Sequence, residues 1–323
     1  MTKDTVLYLS RKEVEAVGLS MSAIVSALDT MFKEKGEGRV EMPPKPGIHP
    51  QKDAFIHAMP AFIPSLGSAG LKWVSGFPEN PAKGLPYISG LLVLNDPETG
   101  IPTAIMDATW ITAKRTGAAT AVAAKYLARK DSSGVGIVAC GLQGRSNLEA
   151  LCCVFEIETV KAFDIVTSVA EQYAEEMADE LGVKVECVTN AKDAVVGMDL
   201  VVTSGPILKN PDPLIDVDWL AAGSFASPVD FDSYWKGAAL EQVNKLATDL
   251  SQMQYYREVG YFQATPVPYA DLGEIAAGKR PGRESEDERT MSINLGLALD
   301  DMATAILIYE QAKERGIGTE LPL

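Results

Sequence analysis

Apolar residues Ile24, Val25, Leu28, Met31 and Phe32 recur at intervals of three and four through "SMSAIVSALDTMFKEK". That spacing lays one apolar stripe along a helix, so a helix is predicted over 20–35, closed by Gly36 and Gly38. Across 39–102 the pattern changes to short β-like runs broken by proline and glycine: "FIHAMP", "AGLKWVSG" and "YISGLLVLND". A turn at 97–100 and a returning strand over 101–106 complete a hairpin. This first region reads as an α+β unit with a largely antiparallel sheet.

After Asp107 an alanine-rich helix, "ATWITAKRTGAATAVAAKYLARK", leads into a different pattern. "GVGIVAC", "TVKAFDIV", "KVECVT" and "DLVVTSGP" read as strands. A helix over 147–155 and the segment "SVAEQYAEEMADELG" alternate with them. Val- and Ile-rich strands alternating with helices imply a parallel sheet covered on both faces. A last helix over 295–316 is expected to return to the first region. The predicted fold class is therefore α/β: a Rossmann-type NAD(P)-binding domain over 128–304, inserted into an α+β dimerisation and substrate domain made of 1–127 and 305–323.

The turn Ala139-Cys140-Gly141-Leu142-Gln143-Gly144 stands where a dinucleotide site has G-x-G-x-x-G. Gly141 would admit a pyrophosphate at a helix N-terminus, and Gly144 would let helix and strand pack. Ala139 occupies the first glycine position, where a small side chain is tolerable at negative φ. Asp164, roughly 20 positions beyond the turn, has the spacing of a carboxylate that accepts from the adenosine ribose and disfavours a 2′-phosphate. Arg145 could touch a phosphate, which keeps NADP open beside NAD. Gly141, Gln143, Gly144, Arg145, Asp164 and Thr203 are the candidate cofactor-binding residues. By itself this degenerate turn also fits a βα unit that binds nothing.

Charge and composition narrow the partners. The 323 residues carry 44 acidic against 29 basic side chains, a formal charge of −15, without a basic block, which counts against nucleic acid. No apolar run is long enough to span a bilayer, and 1–18 lack the apolar core of a signal peptide, so a cytoplasmic location and no membrane partner are expected. Four cysteines without metal-ligand spacing and only two histidines make a protein-bound metal unexpected.

Three further stretches, "AGLKWVSGFPENPAKGLPYISGLLVLNDPETGIPTAIMDATWITAKRTGAATAVAAKYLARKDS", "EMPPK" and "GRESEDERTMSINLGLALDDMA", resemble the ornithine cyclodeaminase/mu-crystallin family. The resemblance runs over nearly the whole chain and is weakest across 223–263. It implies a homodimer built on the first domain, NAD(P) on the second, and a small amino- or imino-acid substrate in the cleft between them. Lys72 matches the active-site lysine, Arg115 the arginine of the substrate carboxylate, and Lys45 a second basic residue there. Asp232, in "DFDSYW", aligns with the catalytic aspartate. Chemically, a guanidinium suits a carboxylate, and a lysine whose pKa is lowered by Lys45 and Arg115 suits proton transfer. Without the resemblance, Lys72 reads as a snorkelling surface lysine and Lys114-Arg115 as a solvated helix face.

Departures bear on the reaction. His57 stands in the substrate region where ornithine cyclodeaminases look to carry an acidic residue, and imidazole is no fixed anion for a distal ammonium. The family's glycine-rich loop around its aspartate is here "FASPVDFDSYWKG", in which Phe231, Tyr234 and Trp235 read first as ordinary domain packing and alternatively as a lid or aromatic substrate pocket. That segment also resembles, more weakly, family members that serve as an accessory component of tyramine oxidase. The leading expectation is an NAD(P)-dependent oxidoreductase interconverting a small α-amino acid and its imino or keto acid. The alternatives are a cyclodeaminase-type lyase that recycles bound NAD, and a non-catalytic accessory or binding protein of an amine oxidase.

Overall fold

The computed structural model describes residues 5–208 and 210–323. The chain divides into two compact units, 1–115 with 296–323 and 116–295. The divisions therefore fall earlier than the expected 127/128 and 304/305. The first lies inside the helix Thr109–Leu127, because beyond Arg115 that helix belongs to the second unit. Gly117 lies against the Ser146 backbone, and Thr120 shares a 2.9 Å hydroxyl–hydroxyl hydrogen bond with Ser227.

The first unit is built on a seven-stranded sheet. Its order is Thr319–Pro322, Thr5–Leu9, Pro102–Asp107, Ile88–Asn95, Ser68–Gly76, Phe55–Ile63 and Gly47–Ile48. Only the Thr5–Leu9/Pro102–Asp107 pair is parallel. Alternation sorts its residues: Lys72, Val74, Leu92 and Leu94 are buried, while Trp73 and Leu91 on the opposite face are exposed. The helix Ala298–Arg315 packs on this sheet and on the helix Met21–Gly36. The latter begins where Ser20 accepts from the Ala23 N–H, a cap worth about 1 kcal/mol. It buries Ile24, Val25, Leu28, Met31 and Phe32, as its periodicity predicts.

The second unit carries eight strands, all pairs parallel. Their order is Ala270–Asp271, Lys245–Thr248, Thr290–Ile293, Phe225–Pro228, Leu200–Thr203, Gly134–Val138, Thr159–Phe163 and Lys184–Cys187. The chain runs outward from Gly134–Val138 in one direction, then returns to pair its other edge with Leu200–Thr203. This is the Rossmann arrangement, and the reversal creates a crevice at the carboxyl ends of those two strands. Among the described residues no helix is long and apolar enough to cross a membrane.

Candidate active site

In the first unit, strand pairing aligns Met59 with Lys72, Lys72 with Leu92, and Leu92 with Met106. Lys72 thus occupies one place in a buried row of otherwise apolar side chains and is itself only 1% exposed. An ammonium in such a row needs a counterion. It has one: Nζ lies 2.6 Å from Oδ2 of Asp301 and donates to the Thr112 hydroxyl at 3.4 Å. The other oxygen of Asp301 accepts from Arg115 Nε at 3.0 Å, so one carboxylate holds both cations side by side. Asp300 lies 3.6 Å from Arg115 Nη1, and its Oδ2 accepts from the Leu297 N–H at 2.9 Å. Both aspartates sit in the first turn of Ala298–Arg315, whose positive end favours negative charge.

Lys45 and Gly296 complete the cluster. The segment before the strand Gly47–Ile48 runs beside Phe55–Ile63, where the Ala58 N–H donates to the Pro46 carbonyl, and Lys45 Nζ donates to the Gly296 carbonyl at 3.2 Å. Gly296 has φ +68, and a Cβ there would fall 2.8 Å from Arg115 Nη1. Backbone conformation and the guanidinium both demand glycine. Three cations face two carboxylates, an arrangement suited to accept one more anion.

Burial is the largest cause lowering the Lys72 pKa, to about 8. Asp301 opposes it, and Arg115 contributes more to the lowering than Lys45. The direction agrees with the sequence reading, whereas the leading cause is desolvation rather than like charge. Burial likewise lifts the Asp300 carboxyl to about 6. Its Oδ1 is buried without a hydrogen-bond partner. His57 stacks on Phe55 with ring centroids 4.4 Å apart. Burial first, then Lys45, His49 and Lys72, push its pKa down to about 4, so it stays neutral beside the cations.

In the second unit the helix Leu142–Cys152 starts at the turn itself, five residues before the expected Asn147. Ala139 has φ +75, contrary to the negative φ expected of a tolerated alanine. The position imposes the left-handed conformation that suits glycine, at a cost of about 1–2 kcal/mol to a residue with a Cβ. A Cβ on Gly144 would lie 2.7 Å from the Ala139 carbonyl, which explains the third glycine by helix–strand packing. Gly141, the N-cap, has φ −76, and a Cβ there would meet no protein atom within 4 Å. Nothing in the protein requires glycine there, whereas close approach of a phosphate does, so the turn fits a dinucleotide.

The Asp164 carboxylate accepts from the Cys140 N–H and the Val166 N–H, both at 2.9 Å, and retains acceptor capacity for a hydroxyl. Arg145 bonds Glu176 at 2.6 and 2.9 Å, donates to the Cys140 carbonyl and lies over the Tyr173 ring. It braces the turn from outside. Gln143 lies in the first turn of this helix, and its carbonyl accepts from the Asn147 side chain at 2.8 Å. Thr203 is fully buried, accepting from Trp235 Nε1 at 3.0 Å and donating to Asp230 at 2.9 Å. Its hydroxyl is a core support.

Asp232 is half-buried and accepts from the Thr265 hydroxyl at 2.8 Å; burial raises its pKa. Phe231 and Trp235 are core residues, in keeping with ordinary packing and not with the alternative of a lid. Sequence reasoning misses Asp300, Asp301 and Asp230 as site residues. The adjacent acids of "LALDDMA", placed in a run of apolar and small residues, are the available signal for the first two.

A model of the ornithine cyclodeaminase/mu-crystallin family matches residues 5–316. The chain belongs to this family. Within it, the chain is 37% identical to an alanine dehydrogenase of Archaeoglobus fulgidus, covering 98% of each protein. It is 32% identical to a Δ1-pyrroline-2-carboxylate reductase of Bacillus cereus, over 85% of this chain and 86% of that one. Among solved structures, an archaeal alanine dehydrogenase dimer with bound NAD superposes with a TM-score of 0.89 at 35% identity, covering 99% of both chains. Thermococcus litoralis Δ1-pyrroline-2-carboxylate reductase, in complex with NADH and L-proline, gives 0.87 at 34%, covering 97% of this chain and 99% of the other.

Proposed function

We propose that this protein is an NAD-dependent oxidoreductase that interconverts a small α-amino acid and the corresponding α-imino or α-keto acid. The observation that carries this reading is the single buried carboxylate, Asp301, holding Lys72 and Arg115 side by side. Arg115 and Lys45 would bind the substrate carboxylate, the planar guanidinium through paired N–H donors. Lys72, with its pKa at about 8, can hold or release a proton at Nζ close to neutral pH, as interconversion of amine and imine nitrogen requires. Asp232 is the candidate to orient water or the nitrogen. His57, neutral, offers no fixed anion for a distal ammonium, which favours a short substrate side chain over ornithine.

The backbone N–H groups of Gly141, Gln143 and Gly144 would hold the pyrophosphate of the dinucleotide, and Asp164 its adenosine ribose. When bound, the nicotinamide ring supplies or accepts the hydride. With Arg145 engaged by Glu176, the carboxylate of Asp164 supports NAD over NADP. The substrate class is that of the alanine dehydrogenase and pyrroline carboxylate reductase relatives. A homodimer is supported by the outward pair Trp73 and Leu91, 46% and 45% exposed, and by the dimer of the archaeal relative. A reducing cytoplasm suits the four free thiols.

Lys72→Ala tests the assignment. Turnover, followed as steady NADH change at 340 nm with alanine, proline and the corresponding imino or keto acids, should fall about 10³-fold while NADH affinity is kept. Full activity in this variant would remove Lys72 from the mechanism. Ammonia release at constant NADH would instead point to lyase chemistry.

A further inference from the structure

Residues 230–235 grip the loop that leaves the strand Leu200–Thr203 at three points. Trp235 Nε1 donates to the Thr203 hydroxyl at 3.0 Å, the Gly205 N–H donates to Asp230 at 3.1 Å, and the Leu208 N–H donates to the Ser233 hydroxyl at 2.9 Å. The Tyr234 carbonyl accepts from the Leu214 and Ile215 N–H groups at 3.1 and 2.8 Å. Phe231, at φ +64, is packed against Tyr256, Tyr261 and Phe262. The backbone on both sides of Tyr234 is thereby fixed, and its ring crosses Gly205. A Cβ at Gly205 would fall 2.1 Å from the Tyr234 hydroxyl oxygen.

Gly205 directly follows Ser204. The Ser204 N–H donates to the Val138 carbonyl and its hydroxyl to the Ala139 carbonyl, both at 2.9 Å. The phenol therefore stands at the carboxyl ends of the two strands where the sheet order reverses, beside the glycine turn. Open parallel sheets take their ligands at this place. Tyr234 is half-buried, and its hydroxyl has no hydrogen-bond partner among the described residues, which leaves it available to a ligand in the crevice. Burial first, then the charges of Asp230 and Asp164, raise its pKa, so the candidate ribose carboxylate shares its surroundings.

We propose that Tyr234 is a cofactor contact, its phenolic hydroxyl donating to an oxygen of the ADP-ribose portion of the bound dinucleotide. This rests on the NAD-dependent reading above and deepens it: the segment that departs most from the family shapes the nucleotide end of the site. The test is equilibrium titration of wild type and Tyr234→Phe with NADH and, separately, with ADP-ribose. The Phe variant keeps the ring and its packing, so its melting temperature without ligand should match wild type. Both dissociation constants should rise by a similar factor, about tenfold. Constants within twofold of wild type overturn the contact while leaving the cofactor reading intact. Weakening of NADH alone places the hydroxyl elsewhere and overturns the proposal too. A wild-type chain that binds neither ligand removes the cofactor reading, and this contact with it.

Discussion

The charged cluster of the first unit and the glycine turn of the second solve opposite problems. Around Lys72 the difficulty is electrostatic: cations are buried in an apolar row, and two aspartates must answer them. Around Ala139 it is steric: the backbone must turn sharply and leave Gly141 uncovered, and the side chains that touch it, Asp164, Arg145 and Ser204, hold the backbone in place. The first region depends on particular charged groups answering one another, so losing one is severe. The second depends on backbone shape, so substitutions should act in graded steps.

The strongest test of this contrast is Asp301→Ala. It strips Lys72 and Arg115 of their shared partner and should cost about 3–5 kcal/mol in chemical unfolding, with turnover lost. The gentler Asp301→Asn keeps the shape, and by removing a charge that raises the Lys72 pKa it should move that limb of the pH–rate profile below about 8. A limb that stays in place would detach Lys72 from the rate.

Asp300→Asn sharpens the same side. The folded-state pKa of Asp300, about 6, lies above the ordinary aspartate value of 3.8. The folded protein therefore binds that proton more tightly than the unfolded chain. The stability this contributes is complete below the unfolded value and is lost as pH rises through about 6. Relative to the Asn variant, wild type should lose about 2 kcal/mol between pH 4 and pH 7, measured by urea unfolding at both. Parallel pH curves would contradict a burial cost that outweighs the Arg115 and Leu297 contacts of this carboxyl.

On the steric side, Gly144→Ala places a Cβ against the Ala139 carbonyl, and should cost about 1–2 kcal/mol of stability along with weaker NADH binding. The smallest effect is the reverse kind. Ala139→Gly relieves the left-handed strain but frees the unfolded chain, for a net gain of about 0.5 kcal/mol, or about 1–2 °C in Tm. A loss of stability would show that the alanine methyl contributes packing that outweighs its backbone strain.

Much of this is legible in the sequence, unevenly. Alternation along "AGLKWVSG" places Lys72 and Trp73 on opposite faces, and the strand–helix rhythm after Gly134 is that of the parallel sheet. Asp300 and Asp301 are hidden because acids in the first turn of a helix already have a local reading, as partners of the helix dipole. Only packing of that helix on the sheet brings them to Lys72. The strands Phe225–Pro228, Lys245–Thr248 and Thr290–Ile293 are four residues each and wholly buried, so no alternation marks them. The φ of Ala139 is set by the strand end and the turn, which a single letter does not encode.

The pairing of Lys72 and Arg115 with Asp301 spans most of the chain: the arginine and its aspartate are separated by 186 positions. A growing chain emerges N-terminus first, and compact units fold as they become complete. Both cations leave the ribosome with their strand and helix, but their counterions follow only after the whole nucleotide-binding unit has been made. Until then, closing the sheet over Lys72 would trap an unanswered charge. The last helix to be synthesised thus acts as a timing device, making the Lys72–Arg115–Asp301 cluster a late part of its unit to assemble, with only the edge strand Thr319–Pro322 still to come.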